Sequence, residues 1–319
     1  MQRLVLGFVS LPGVIVFIVN FLLSVFTLLY YKLRSINFLD AYIKLISALS
    51  AISIPFWLFN QISYYGIDLV NVKSLGLYTS FPRNFVNPIV RNSGMFWEPG
   101  AFAGYLIVGL AFIILRNKRL SLGEYKLSTI LIVLGIVSSM STTGYVLLGI
   151  MFSLYSVYNF KWGKVIIVPV CIVLISWTYN ELNFLQDKIE QQFIGSQNLG
   201  YGEVSNTRFG TVYLDAEYIL ANPIIGNGLH EKTRFRFHPW MTTTGFGNGF
   251  TDFIADWGLI LFAWWIICVY DFARKQTNSI YLAIIYVSLF FLVLQGEQFL
   301  NFPFFMTFFI LPIVNQRNI

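Results

Sequence analysis

Charge is scarce in this chain. Its 319 residues carry 21 Lys and Arg and 15 Asp and Glu, 11% in all, where a soluble domain carries about 25%. So few charges cannot cover the surface of a globule this size. A soluble enzyme, a nucleic-acid-binding module and a disordered chain are therefore excluded. Cysteine is nearly absent. Cys171 and Cys268 both lie in apolar runs, without a CxxC or Cys/His partner, so neither a structural disulfide nor a metal site is expected. Histidine is limited to His230 and His238. No HExxH or GxSG occurs, which argues against an intramembrane protease. What is abundant is apolar: 56% of residues are hydrophobic and 18% aromatic, with a mean hydropathy of +0.67. The class that remains is an all-helical polytopic membrane protein. The net charge of +6 then speaks of orientation rather than nucleic acid, because excess Lys and Arg collect in cytoplasmic loops.

A helix needs about 20 apolar residues to cross the hydrocarbon core. Residues 4–31 carry no charge and form the first span, too long for a signal-peptide core. The second covers 38–60, with Asp40 and Lys44 near its start, and the third 99–115. The charge-free stretch 127–160 exceeds one helix. It is split at the polar cluster Ser139-Met140-Ser141-Thr142-Thr143-Gly144 into the fourth and fifth spans. Residues 165–180, 251–270, 276–296 and 298–316 complete about nine. Lys32, Arg34, Arg116, Lys118, Arg119, Lys126, Lys161, Lys164, Arg274, Lys275 and Arg317 then share one side, which the positive-inside rule makes cytoplasmic. The N-terminus and two long loops, 61–98 and 181–250, face outward. This map admits both a natural minimal form and a chain lacking upstream helices. The chain reads as a single membrane domain. In the larger loop an interfacial helix is expected over about 207–220, with Asn206 as N-cap and Asn222-Pro223 as its stop.

The outer loops hold most of the polar residues suited to chemistry. Arg91-Asn92-Ser93-Gly94-Met95-Phe96-Trp97-Glu98-Pro99-Gly100 sits where the first loop meets a span. Arg208 opens the expected loop helix, Arg234, Arg236 and His238 alternate in Arg-Phe-Arg-Phe-His, and Asp252 and Asp256 top the seventh span. An arginine fork binds phosphate bidentately, so several on one membrane face suit a lipid phosphate or pyrophosphate. Each equally suits a headgroup or a nearby carboxylate. Glu98 is a candidate base, or a carboxylate favoured at a helix N-terminus before Pro99. His230 and His238 are alternative bases. Trp97 and Trp240 suit stacking on sugar faces or the aromatic belt at the interface.

Together these segments resemble the Wzy-type polysaccharide polymerases of the bacterial O-antigen polymerase and ligase superfamily. Arg91 to Gly100 with Ala101-Phe102-Ala103 is similar to "R-x-x-G-x-F-x-E-P". Ser139 to Gly144 is similar to "S-x-S/T-x-G". Arg208 to Gly228, ending Asn-Pro-Ile-Ile-Gly-Asn-Gly, is similar to "R…P-i-x-G-x-G", and Gly247-Asn248-Gly249-Phe250 to "h-N-x-f". The four stand in the family's order from about residue 83 to the C-terminus. The resemblance implies a GT-C-like helical bundle with two large extracytoplasmic loops. It also implies an inverting glycosyltransferase using no metal and no cofactor. Donor and acceptor would both be glycans on undecaprenyl pyrophosphate, met at the outer face of the bacterial cytoplasmic membrane. A flippase and a chain-length regulator are the implied partners. Arg91 and Arg208 match the family arginines and are expected to hold the pyrophosphate. Glu98 or His238 would serve in catalysis. Arg234, Arg236, Trp97, Asn248, His230 and Asp252 are expected to contact substrate. Superfamily ligases carry His directly before the Asn, whereas Gly247 stands here, which favours polymerase over ligase. The alternatives are such a ligase and a lipid-linked oligosaccharide flippase. Against the flippase, polar groups cluster in outer loops rather than at mid-membrane.

Overall fold

The computed structural model describes residues 10–64, 80–82, 90–116, 123–159, 208–237 and 248–312. It is mostly helical, and the chain divides into two compact units, Met1–Ile36 with Asn183–Ile319, and Asn37–Leu182.

Helix α1, Leu11–Leu33, opens on Ser10, whose hydroxyl accepts the Gly13 amide at 3.3 Å, with Pro12 in the first turn. Proline costs nothing there, since that N–H has no helical partner. At 1.5 Å per residue the helix is about 34 Å long, enough for a hydrocarbon core of about 30 Å. It is apolar on every side, yet only Ser24 and Leu28 are buried. Leu22, Leu23, Phe26 and Leu29 point out of the protein, a distribution that calls for an apolar solvent.

In the Asn37–Leu182 unit, α2 runs Phe38–Tyr64. A two-stranded antiparallel ribbon follows, β1 Ser80–Pro82 with β2 Val90–Asn92, pairing Phe81 with Arg91. Then come α3 Pro99–Arg116, α4 Lys126–Ser139 and α5 Thr142–Asn159. Helix α3 is the centre: Phe102, Leu106, Ile107, Val108 and Phe112 are all fully buried. The α4–α5 break falls at Met140, in the left-handed conformation at φ 48°, inside the polar cluster where the long apolar stretch was divided.

The other unit continues with α6 Arg208–Ala221, the single turn α7 Glu231–Arg234, α8 Gly249–Trp257, α9 Leu259–Thr277 and α10 Ile280–Leu294. Short turns then close it: a 3₁₀ turn Phe299–Asn301, α11 Pro303–Met306 and a 3₁₀ turn Thr307–Phe309. Its core is aromatic, with Trp265, Phe272, Phe290, Phe305 and Phe308 buried against one another.

Two expected spans have a different form. The stretch 251–270 is cut at Gly258, whose φ of +86° is open to glycine and strained for other residues. The Leu259 amide bonds the Pro223 carbonyl at 2.8 Å instead of continuing α8. The stretch 298–316 forms short turns as far as residue 312. Pro303 brings no N–H, and the carbonyls of Asn301 and Pro303 are capped by side chains of α1, Asn20 Nδ2 at 2.9 Å and Ser24 Oγ at 2.6 Å. The expected span 165–180 lies outside the described residues. Among those residues, two helices are long and apolar enough to cross a membrane, Leu11–Leu33 and Phe38–Phe59; Pro99–Leu115, Lys126–Ser139, Thr142–Leu154 and Ile280–Leu294 are shorter apolar helices.

Candidate functional site

The motif segments meet in pairs, one pair within each unit. In the Asn37–Leu182 unit, β2 delivers Arg91 to the α4–α5 turn, where its Nε donates to the Ser139 carbonyl at 3.2 Å. The next residue locks this arrangement. Asn92 is 3% exposed; its Nδ2 donates to Ser53 Oγ at 3.1 Å on α2 and to Ser138 Oγ at 2.9 Å on α4. Its Oδ1 accepts the Gly94 amide at 2.9 Å, a side-chain turn that reverses the chain. Gly94 stands at φ +55°, and a Cβ there would press on the Phe102 ring at 3.0 Å. Phe96 stacks between Phe102 and Tyr105, with centroids at 5.6 and 4.6 Å. Trp97 and Met95 are left facing outward at 40% and 51% exposure. Glu98 is half-buried and its carbonyl accepts the Phe102 amide at 3.1 Å, so it holds the cap position before Pro99.

In the other unit, α6 and α8 face each other across buried carboxylates. Arg234, at the end of α7, is 2% exposed. Its Nη2 donates to Asp215 Oδ1 at 2.6 Å and to Asp252 Oδ1 at 2.7 Å, and its Nε to Asp256 Oδ1 at 2.6 Å. The guanidinium lies over the Tyr218 ring, 4.9 Å from its centroid. Thr251 Oγ1 reaches Asp215 Oδ2 at 2.6 Å, and Gln298 Nε2 donates to Asp252 Oδ2. Burial pushes the Asp215 carboxyl up to about 7; the Arg234 charge opposes this and Asp252 adds to it. For Arg234, burial disfavours the cation, but the three carboxylates outweigh burial and hold it above its ordinary value.

The Asn-Pro-Ile-Ile-Gly-Asn-Gly segment docks on the end of α8. Asn227 is fully buried; its amide donates to the Ala255 carbonyl at 2.7 Å and its Nδ2 to the Tyr218 and Ala255 carbonyls at 2.8 and 3.0 Å. Gly226 sits against the Asp256 carbonyl so closely that no Cβ fits. At the other end of α8, Asn248 is the N-cap. Its Oδ1 accepts the Phe250 and Thr251 amides at 3.2 Å, and its Nδ2 donates to Gln295 Oε1 at 2.6 Å. Gly249 lies on the Glu297 carbonyl, where an added Cβ would overlap backbone. Gly249→Ala is therefore expected to destabilise at the upper end of the about 1–3 kcal/mol of ordinary overpacking, since a carbonyl cannot rotate away as a side chain can. A lowered melting temperature of the purified protein checks this.

No family model, curated protein or solved structure matches this chain.

Four expected site residues have structural tasks in that geometry. Arg234 and Asp252 are paired within the buried cluster, and Asn248 caps α8. His230 caps α7, its Nδ1 accepting the Lys232 amide at 3.2 Å. Arg236 is exposed, with its guanidinium 4.5 Å from the Phe237 ring centroid, whereas α7 turns Arg234 in. Arg208 is the first residue of α6. His238 and Trp240 lie outside the described residues. Asp215 and Asn227 were not among the expected site residues, and Asp256 and Asn92 were named with their segments but given no role. A signal for two of them existed: Thr211, Asp215 and Tyr218, and Asn248, Asp252 and Asp256, recur at helical spacing on faces otherwise apolar. Among the described residues no group of His, Cys, Asp and Glu is arranged to hold a metal ion.

Proposed function

We propose that this protein polymerises oligosaccharide repeat units linked to undecaprenyl pyrophosphate, at the outer face of the bacterial cytoplasmic membrane, as a multi-pass glycosyltransferase. The observation that carries this reading is the seating of Arg91 on the Ser139 carbonyl. Two segments nearly fifty residues apart, each resembling a different family motif, meet there, with Trp97 and Glu98 a few residues further along.

In the proposed reaction an acceptor sugar hydroxyl attacks the anomeric carbon of the donor glycan. The bond from that carbon to the pyrophosphate oxygen breaks, and undecaprenyl pyrophosphate leaves with the electron pair. Arg91 and Arg208 stabilise the charge growing on the leaving group. Glu98, or His238, takes the hydroxyl proton. Trp97, exposed beside Phe96, offers a face for stacking on a sugar ring. Arg236 is an exposed cation of the second loop. The buried cluster around Arg234 serves as scaffold for α6, on which Arg208 stands.

Deleting the gene tests the reaction type. Single repeat units should persist, on undecaprenyl pyrophosphate or on the final acceptor, while long chains disappear. Long chains accumulating on undecaprenyl pyrophosphate, with the acceptor bare, would instead identify a ligase. Loss of every externally exposed unit would identify a flippase.

A further inference from the structure

Helix α6 turns Asp215 inward and α8 turns Asp252 inward, at 0% and 3% exposure. Their Oδ1 atoms lie on the same guanidinium nitrogen, Arg234 Nη2, at 2.6 and 2.7 Å. One nitrogen thus serves two buried carboxylates, and a third, Asp256, takes Nε. Two carboxylates crowded out of water do not both ionise readily. A proton on one of them removes the repulsion, provided it has an acceptor. Asp252 Oδ2 already accepts from Gln298 Nε2. Asp215 Oδ2 faces a hydroxyl, Thr251 Oγ1, at 2.6 Å, and a hydroxyl accepts as well as donates.

We propose that Asp215 carries a proton on Oδ2, donated to Thr251 Oγ1, and that this proton latches α6 to α8. The latch spans two elements that carry candidate site residues: Arg208 begins α6 and Asn248 caps α8. Asp215 is thus a positioning residue for the proposed glycosyl transfer, and that consequence rests on the function proposed above. The latch itself does not.

The charged and titratable groups around it come from each packed element. Helix α6 supplies Asp215, with Tyr218 beneath the guanidinium and Glu217 exposed; α7 supplies Arg234, with Glu231 and Lys232 exposed; α8 supplies Asp252 and Asp256; the turn before Phe299 supplies Gln298, with Glu297 half-buried. The rise of the Asp215 carboxyl to about 7 from an ordinary 3.8 agrees with a proton retained at mildly acidic pH. Its sign is fixed. The folded state keeps a proton that the unfolded chain has released, so stability is full below about pH 4. It falls as pH rises to about 7, and levels off above. The crowded carboxylates titrate as a set.

The test uses the full chain purified in detergent, with no glycan present, so its result is independent of the polymerase reading. Infrared spectra should show the carbonyl band of a protonated carboxylic acid at about pH 6 that fades by about pH 8. Asp215→Asn, which keeps the shape and supplies an N–H to Thr251, should remove the part of that band that fades by about pH 8. Asp252→Asn, which removes a negative neighbour, should retain the band and shift its disappearance to lower pH. Between about pH 4 and 7 the unfolding constant of the wild type should rise about tenfold per pH unit relative to Asp215→Asn, the slope of one proton. A wild type without the band, or a band unchanged in Asp215→Asn, overturns the latch. Parallel pH profiles for the two proteins overturn it as well.

Discussion

Arg234→Ala should lose most of the protein from the membrane. The substitution strands Asp215, Asp252 and Asp256, each at 5% exposure or less, without the guanidinium that bridges them. Breaking a buried ion pair by removing one partner costs about 3–5 kcal/mol, against a total stability of about 5–15 kcal/mol. Here three partners are stranded at once, so the upper figure applies, and abundance and melting temperature should both fall sharply. Arg234→Lys keeps the charge but cannot supply both Nη2 and Nε, and should fall between. A decisive comparison adds neutral partners: Arg234→Met in a background of Asp215→Asn, Asp252→Asn and Asp256→Asn should recover much of the loss, because uncharged groups tolerate burial. If Arg234→Ala alone melts like the wild type, the cluster is not the support of α6 and α8.

Arg91→Ala and Arg208→Ala should each lower polymer formation at least about 100-fold, the usual loss when one preorganised donor to a developing anion is removed. Removing Arg91 is also expected to lower stability. Arg91 also bonds the Ser139 carbonyl, so its removal leaves that acceptor short of a donor at a cost of about 1 kcal/mol. The neighbouring Asn92 bonds to Ser53 and Ser138 remain to hold the ribbon. Lysine at either position keeps the charge without the planar fork and should be impaired rather than neutral. Arg83→Ala, close to Arg91 in the sequence and outside the motif, should retain activity. Polymer length on gels from membranes of matched protein content reads all five proteins. Full activity in both alanine variants would remove arginine stabilisation of the pyrophosphate from the proposal.

Local features of the fold were readable from residue chemistry. The polar cluster at Ser139–Gly144 marks a real helix break, and Pro99 and Pro223 stand where a helix starts and shortly after one stops. Helix α6, expected over 207–220, is observed as Arg208–Ala221. Contacts at long range were not readable. Nothing in the order of the motifs says that Ser139 receives Arg91, or that Asn227 docks on Ala255, because order along a chain carries no distance. The expected span 251–270 reads as one apolar run because hydropathy weighs side chains. Its break at Gly258 is made by backbone, through a left-handed φ and an amide borrowed by Pro223. Arg234 was expected to contact substrate, with a nearby carboxylate as the alternative partner; the sequence shows its charge but not the three carboxylates that surround it.

The bonds from α1 to the closing turns bear on how the protein is made. Asn20 and Ser24 cap carbonyls 281 and 279 residues further along the chain. A ribosome adding about 5–20 residues per second delivers those carbonyls tens of seconds after α1 has emerged. The whole Asn37–Leu182 unit is synthesised in that interval and can finish folding on contacts of its own. The unit holding α1 closes last; until then Asn20 Nδ2 lacks this partner, and Ser24 Oγ has only the Asn20 carbonyl one turn back, at 2.8 Å. Ribosome stalling or truncation before Asn301 should therefore leave the middle of the chain folded and α1 open to the membrane's quality-control proteases.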